Sequence, residues 1–296
     1  VERVESAIRL ELMPECLEGQ DLRAEMTRAE SMETTQIYSI AGLLDPKQPI
    51  IRTRPFRSPH HTISSVGLVG GGSVPHPGEI SLAHNGLLFL DELAEFDHRT
   101  LEIMRQPLED HRVTITRAAG TITYPCSFML VGAMNPCPCG YFGHPHRKCT
   151  CSDRQVRQYL NRISGPLLDR FDLHIEVEPV SFDDLSAKTK SESSAEIRKR
   201  VQAARERQTR RFAGTNIFCN AAIPAGKLQD YCMLDSDALT LLHAVFDKLG
   251  LSARAYDRIL KVARTIADLD QCDVIGKKHI ASAAQFRSLD RKYWAQ

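Results

Sequence analysis

Four apolar residues, Leu87, Leu88, Phe89 and Leu90, run directly into two carboxylates, Asp91 and Glu92. A run this short and this apolar predicts a strand buried on both faces, as in the parallel sheet of an α/β protein. The carboxylates then fall at the C-terminal end of the strand, where open α/β sheets carry their chemistry. An Asp there can hold Mg2+ through water, and an adjacent Glu can polarise an attacking water, the acidic half of a site that hydrolyses nucleotides. An ordinary core strand ending in two solvated acids has the same appearance, so the segment alone leaves both uses open.

A chain of 296 residues is long enough for a full α/β core and a smaller second domain. Its 38 Lys and Arg nearly balance its 37 Asp and Glu. No global field therefore points to nucleic acid, and any such surface must be local. No apolar run approaches the roughly 18 to 20 residues that span a bilayer. The start of the sequence lacks a charged-then-apolar leader pattern, so a cytoplasmic protein without a membrane partner is expected. Nine cysteines are an odd count in a chain too large to need disulfide staples. Four of them crowd between Cys137 and Cys151, which suggests metal.

Residues 1–30 mix Glu and Arg with scattered Leu and are left unassigned. From Ser31 the pattern sharpens, with a helix through Met32, Ile37 and Ile40 ending near Gly42. The stretch Arg52 to Gly78 reads as loop, and Glu79 to Asn85 as a short helix. Asp97 can cap a helix with an apolar face of Leu101, Met104 and Leu108. Arg112 to Thr116 and Thr121 to Tyr124 alternate like an exposed hairpin. Phe128 to Ala133 reads as a second apolar strand and His174 to Val177 as a third strand. Ser, Lys and acids around Ser181 to Ser194 suggest a linker. Amphipathic helices follow at Ser194 to Phe212, Ser236 to Leu249, Ser252 to Leu269 and His279 to Leu289. The expected domains are thus an α/β core over 31–180 and a helical domain over 181–296.

Cys137, Cys139, Cys149 and Cys151 form C-x-C-x9-C-x-C. Two close pairs joined by a short loop supply four thiolates for tetrahedral Zn2+ at small entropic cost, and a closed four-sulfur site is structural. Reduced, unliganded thiols are the alternative, and His144 or His146 can substitute for a cysteine. Asn135, just past the second strand, can orient a water or touch a γ-phosphate, or simply make a turn before Pro136. Arg170 can reach a phosphate, including one bound to a neighbouring subunit, or pair with Asp169 or Asp172. Arg254, Arg258 and Lys261 share one helix face, and seven basic residues between Arg198 and Arg211 face one acid, Glu206. Both are either solvated faces or phosphate contacts. Arg117 at the hairpin tip is a further candidate for DNA contact.

Taken in order, Phe56-Arg-Ser-Pro-His-His61, Gly78-Glu-Ile-Ser-Leu-Ala-His-Asn-Gly86, Phe89-Leu-Asp-Glu92, Arg105-Gln-Pro-Leu-Glu109, Ala133-Met-Asn-Pro-Cys-Pro-Cys-Gly140, Ser164-Gly-Pro-Leu-Leu-Asp-Arg170 and Leu251-Ser-Ala-Arg-Ala255 carry a family resemblance. Together they resemble the ComM family of magnesium-chelatase-like AAA+ proteins, related to MCM helicases and to the chelatase ATPase subunit. The resemblance covers Ser31 to Lys292. It implies an AAA+ P-loop-type parallel sheet sandwiched by helices, with a C-terminal helical lid. It implies Asp91 and Glu92 as the Walker B pair, Asn135 as sensor 1, Arg170 as an arginine finger acting across a subunit boundary, and Arg254 as sensor 2. The hairpin with Arg112 and Arg117 resembles the pre-sensor-1 insertion, and the segment before Gly86 the helix-2 insertion. ATP and Mg2+ are the implied cofactors. The implied partners are single-stranded or branched DNA and further copies in a hexameric ring, which drives branch migration in recombination and natural transformation.

One departure bears on activity. The family's phosphate loop, G-x-x-x-x-G-K-[ST], has no match in this sequence, whose Gly226-Lys227 and Gly276-Lys277 lie in the second domain without the glycine spacing. The family's N-terminal domain, similar to a domain of Lon-type proteases, also has no match, and residues 1–30 look like neither part. The expectation is a fragment, a frameshift product or a degenerate paralogue that binds ATP weakly or not at all. Two other functions stay open: a chelatase-type ATPase subunit that drives metal insertion, and a non-catalytic zinc-containing interaction protein, which ATP binding would separate from the others.

Overall fold

A computed structural model describes residues 25–117, 120–177 and 192–287. The seven strands among them are β1 (Phe56–Arg57), β2 (Gly70–Gly71), β3 (His76–Pro77), β4 (Leu87–Leu90), β5 (Arg112–Arg117), β6 (Gly120–Pro125) and β7 (Met129–Gly132). Strand β4 lies at the centre of a parallel sheet, between β1 and β7. All four of its side chains are buried, as expected for a central parallel strand without alternation. Phe56 on β1 stacks on Phe89 of β4, with ring centroids 6.4 Å apart. The stretch Arg52 to Gly78 is therefore not simply a loop. It contributes β1, the helix Ser65–Val69 capped by Ser64, and the antiparallel ribbon β2–β3. Its prolines and glycines hide these pieces because each is only two to five residues long.

The turn before β4 is fixed from several sides. His84 is buried, and its Nδ1 accepts the backbone N–H of Ser127 while its Nε2 faces Glu33 at 3.3 Å. Burial holds its pKa below the usual histidine value, against the pull of Glu33, consistent with a neutral ring donating to the carboxylate. Glu33 lies on the helix Arg28–Ile40, which opens with a capping box of Thr27 and Glu30. Gly86 then enters the sheet. Its carbonyl accepts from Met129 N, and Leu87 N donates to Pro55 O at 2.8 Å. A Cβ at position 86 would lie 2.1 Å from the Pro55 carbonyl oxygen, so only glycine fits here.

Asp97 caps the next helix as expected, but that helix breaks at Met104 into His98–Ile103 and Arg105–Asp110. Strands β5 and β6 pair in antiparallel register from Arg112↔Pro125 to Arg117↔Gly120. The hairpin is exposed only in part: Val113, Ile115 and Tyr124 are buried, and Tyr124 donates to Pro75 O.

The described residues divide into two compact units, the first ending at Arg170 and the second beginning at Phe171. Residues 1–24 and residues 178–191, which include most of the linker expected around Ser181 to Ser194, lie outside the described residues. The third strand expected at His174 to Val177 does not form. His174 N donates instead to Phe286 O, and Leu173 and Ile175 pack on the core of the second unit. Their alternation serves a helical core because no described strand lies alongside to pair with them.

That second unit contains the helices Ser194–Arg211, Ser236–Leu249, Ala253–Leu269 and Lys277–Gln285. Gly250, at φ +58°, ends the second of these. Ile259, Ala263, Leu242, Ile280 and Phe286 are central to its apolar core. Asp268, fully buried, pairs with Arg211 and Arg264 and accepts from Asn220, so the buried charges are compensated. The protein is thus α/β, with a parallel sheet followed in the chain by a helical C-terminal part.

Gly86→Ala should destabilise the sheet unit by about 1–3 kcal/mol, because the added methyl meets backbone rather than a movable side chain. Urea denaturation followed by far-UV circular dichroism checks this, and an unchanged midpoint would contradict the close approach of Gly86 to Pro55.

Candidate active site and metal centre

Strand β4 delivers Asp91 and Glu92 to its C-terminal end, and both are exposed there. Asp91 Oδ1 accepts the backbone N–H of Glu92 at 2.8 Å, which turns the chain out of the sheet. Glu92 takes a left-handed conformation, φ +51° and ψ +44°. A non-glycine residue there costs of order 1 kcal/mol and persists only where the surroundings impose it. Two contacts do so. Leu93 N donates to Ala133 O at 2.8 Å, and His61 Nδ1 lies 3.1 Å from Glu92 Oε2. His61 lies tilted against His60, with ring centroids 4.1 Å apart, and is set edge-on to Phe96.

The ladder between β4 and β7 continues past both strands, with Ala133 N donating to Leu90 O at 3.0 Å. It brings Ala133 alongside the two acids, and Asn135 follows two residues later. Asn135 is exposed. Arg170 lies in the same unit but is almost fully enclosed, at 6% side-chain exposure. Its guanidinium donates to the carbonyls of Arg105 and Pro166 and pairs with Glu109. Asp172 pairs instead with Arg258, both residues lying in the second unit. Arg254 is exposed in the first turn of the helix Ala253–Leu269. Its expected companions on that face are engaged, Arg258 with Asp172 and Lys261 with the Ala221 carbonyl. On the helix Ser194–Arg211, Arg200, Arg207 and Arg211 pair with Glu192, Asp273 and Asp268. Part of each face is therefore taken up by structural contacts. Arg112 and Arg117 are exposed on the hairpin, with Arg117 donating to the Thr116 carbonyl.

The four cysteines of the loop after β7 converge. All four Sγ atoms lie within 4.8 Å of one another, with Cys137 3.4 Å from Cys139 and 3.7 Å from Cys149. Bonds of about 2.3 Å to a tetrahedral ion would set neighbouring sulfurs about 3.8 Å apart, so the donor set fits one ion. Gly140 and Gly143, both at positive φ, make the turns this needs. Backbone N–H groups of Thr150 and Tyr141 pull the Cys139 thiol down to about 5, making it a thiolate at neutral pH. At Cys149 the Cys151 N–H favours the thiolate, but burial and the sulfurs of Cys139 and Cys137 outweigh it and push the thiol up to about 12. A bound cation would remove that mutual repulsion. His144 is no ligand through Nδ1, which accepts the backbone N–H groups of His146 and Arg147.

Sequence reasoning gives neither His61 nor Glu109 a role. His61 would have been found had Phe56–Arg57 been recognised as the strand beside β4, since the residues after it must reach the same sheet end. Glu109 had no local signal, because its partner lies sixty-one residues away in sequence.

The family model described as magnesium chelatase, subunit ChlI, matches residues 15–185, and that of its C-terminal part matches residues 191–287. The chain is 46% identical over 272 residues to the YifB protein of Escherichia coli, covering 91% of this chain and 52% of YifB. It is 44% identical over 275 residues to the competence protein ComM of Haemophilus influenzae, covering 91% and 52%. Identity to the magnesium-chelatase 38 kDa subunit of Acidiphilium rubrum is 24% over 223 residues, covering 73% and 56%. The chain spans about half the length of these relatives. It belongs to the ComM and magnesium-chelatase-like family of AAA+ proteins.

Proposed function

We propose that the chain supplies the water-activating half of an ATP-hydrolysing site in a ring-forming motor that acts on DNA. The observation that carries this is the pair Asp91 and Glu92 at the C-terminal end of the central strand, with the backbone of Ala133, two residues before Asn135, bonded to Leu90 and Leu93 on either side of them. ATP with Mg2+, when bound, supplies the phosphoanhydride bond to be cleaved. Asp91 keeps one carboxylate oxygen on its own loop and can turn the other to a water of a bound Mg2+. Glu92 takes a proton from the attacking water, Asn135 orients that water, and His61 holds the Glu92 carboxylate in place. Arg170 would act on a neighbouring subunit's phosphate, for which it must exchange Glu109 for that anion. Arg254 is proposed as the sensor 2 arginine.

No segment of this sequence matches the phosphate loop, so the cradle for the β and γ phosphates is assigned to no residue of this chain. By itself the chain should hold ATP weakly. No helix among the described residues is long and apolar enough to cross a membrane, and a cytoplasmic site of action is proposed.

The DNA role draws on the relative named as a competence protein, and on the exposed Arg112 and Arg117 of the hairpin. Branch migration in recombination and natural transformation, by a hexamer, is the specific activity proposed. A chelatase-type role in metal insertion is the second reading. It has the family model's description in its favour, but the chelatase relative is far less similar than the competence protein. A non-catalytic interaction protein would keep the cysteine centre and bind no nucleotide. For that centre we propose structural Zn2+, since four thiolates close the shell and leave no open position.

In a form of the protein joined to a phosphate loop, Glu92→Gln should retain ATP and slow its hydrolysis by about 10²-fold or more. Undiminished turnover in a single-turnover assay would refute the role of Glu92. Elemental analysis should find about one zinc per chain. Absence of metal, with all thiols freely titratable, would refute the centre.

A further inference from the structure

Between Pro136 and Ser152 the sequence holds no Asp or Glu, while Arg147 and Lys148 join His144 and His146 there. In a chain whose charges otherwise balance, this is a local basic surface. The converging cysteines close the base of the loop, so residues 140–148 stand out as a tip. His146, Arg147 and Lys148 are exposed on it.

The tip is ordered by its own contacts. Two backbone N–H groups converge on His144 Nδ1 and fix that ring. Tyr141 and His144 meet edge to face with centroids 5.7 Å apart, and His144 and His146 at 6.3 Å. The Arg147 guanidinium lies 5.2 Å from the centre of the Tyr141 ring and donates from Nη1 to its hydroxyl at 2.7 Å. A guanidinium held this way loses little freedom on meeting an anion, and its remaining N–H groups can donate. None of these contacts is needed to bring four sulfurs together.

Cations interleaved with rings match one ligand chemistry. A single nucleic-acid strand offers phosphates to Arg147 and Lys148 and base faces to Tyr141 and His146. A duplex offers the phosphates but keeps its base faces stacked, and an acidic peptide offers charge without rings to stack. We infer that the tip from Tyr141 to Lys148 is a contact for a single nucleic-acid strand. This rests on the DNA role proposed above and adds a second contact to the hairpin.

The test is fluorescence anisotropy of a labelled oligothymidylate titrated with the metal-loaded chain over a range of salt. Arg147→Ala with Lys148→Ala should weaken binding about tenfold at low salt and flatten the log–log salt slope by about 1.4, at about 0.7 for each phosphate no longer neutralised. Tyr141→Ala should weaken oligothymidylate binding, and Tyr141→Phe should restore it. Protection of the four thiols from a thiol reagent reports that the loop is intact. If the double variant exposes them, Lys148→Ala alone decides, a slope change of about 0.7 supporting the assignment and none overturning it. Unchanged affinity and slope in the double variant, with weakening in Arg112→Ala plus Arg117→Ala, would overturn the role of the tip and leave the DNA role standing. No binding by the unaltered chain would overturn both.

Discussion

The parallel pairing of β4 between β1 and β7 is the interaction on which the rest of the first unit depends. It buries Leu87 to Leu90 on both faces, and its hydrogen bonds extend beyond the strands through Ala133 to both Leu90 and Leu93. That extension places Asp91 and Glu92 beside the segment leading to Asn135. It also makes the left-handed turn at Glu92 sustainable, because the residue after it is anchored to β7. The elements around it secure register. Gly86 allows contact with Pro55, while His84 links the turn to the first helix and to the approach to β7.

The same sheet end explains why the cysteine loop lies where it does. Cys137 follows Asn135 by two residues, so folding of the cysteine loop and placement of Asn135 are coupled through a short piece of chain. Phe142 N donates to Cys137 Sγ, tying the loop back onto the cysteine nearest the sheet. A structural ion there would fix the exit from β7.

Much of this was legible in the sequence. The unbroken apolar run of β4, the Asp97 cap, the hairpin alternation and the cysteine spacing each carry a local signal strong enough to survive tertiary context. Elements defined only by their partners were not. Phe56–Arg57 is two residues long and becomes a strand only because β4 lies beside it. His174 to Val177 has strand-like alternation, yet Leu173 and Ile175 are taken by the helical core. The basic faces misled for a related reason. Arg207, Arg211 and Arg258 read as solvent-facing charge, whereas their acidic partners are distant in sequence. Arg170 was legible as an arginine of interest, and its enclosure by Glu109 and two carbonyls was not.

The proposed division of labour, acids in this chain and phosphate cradle outside it, is tested most directly by calorimetric titration of Mg·ATP. Two proteins are compared: the 296-residue chain alone, and the same chain joined to the phosphate-loop segment of a family relative. Tight binding should appear only in the joined form and should weaken with Asp91→Asn. Equal affinity in both forms, or indifference of the joined form to Asp91→Asn, would contradict the assignment of the β4 end as half of a nucleotide site.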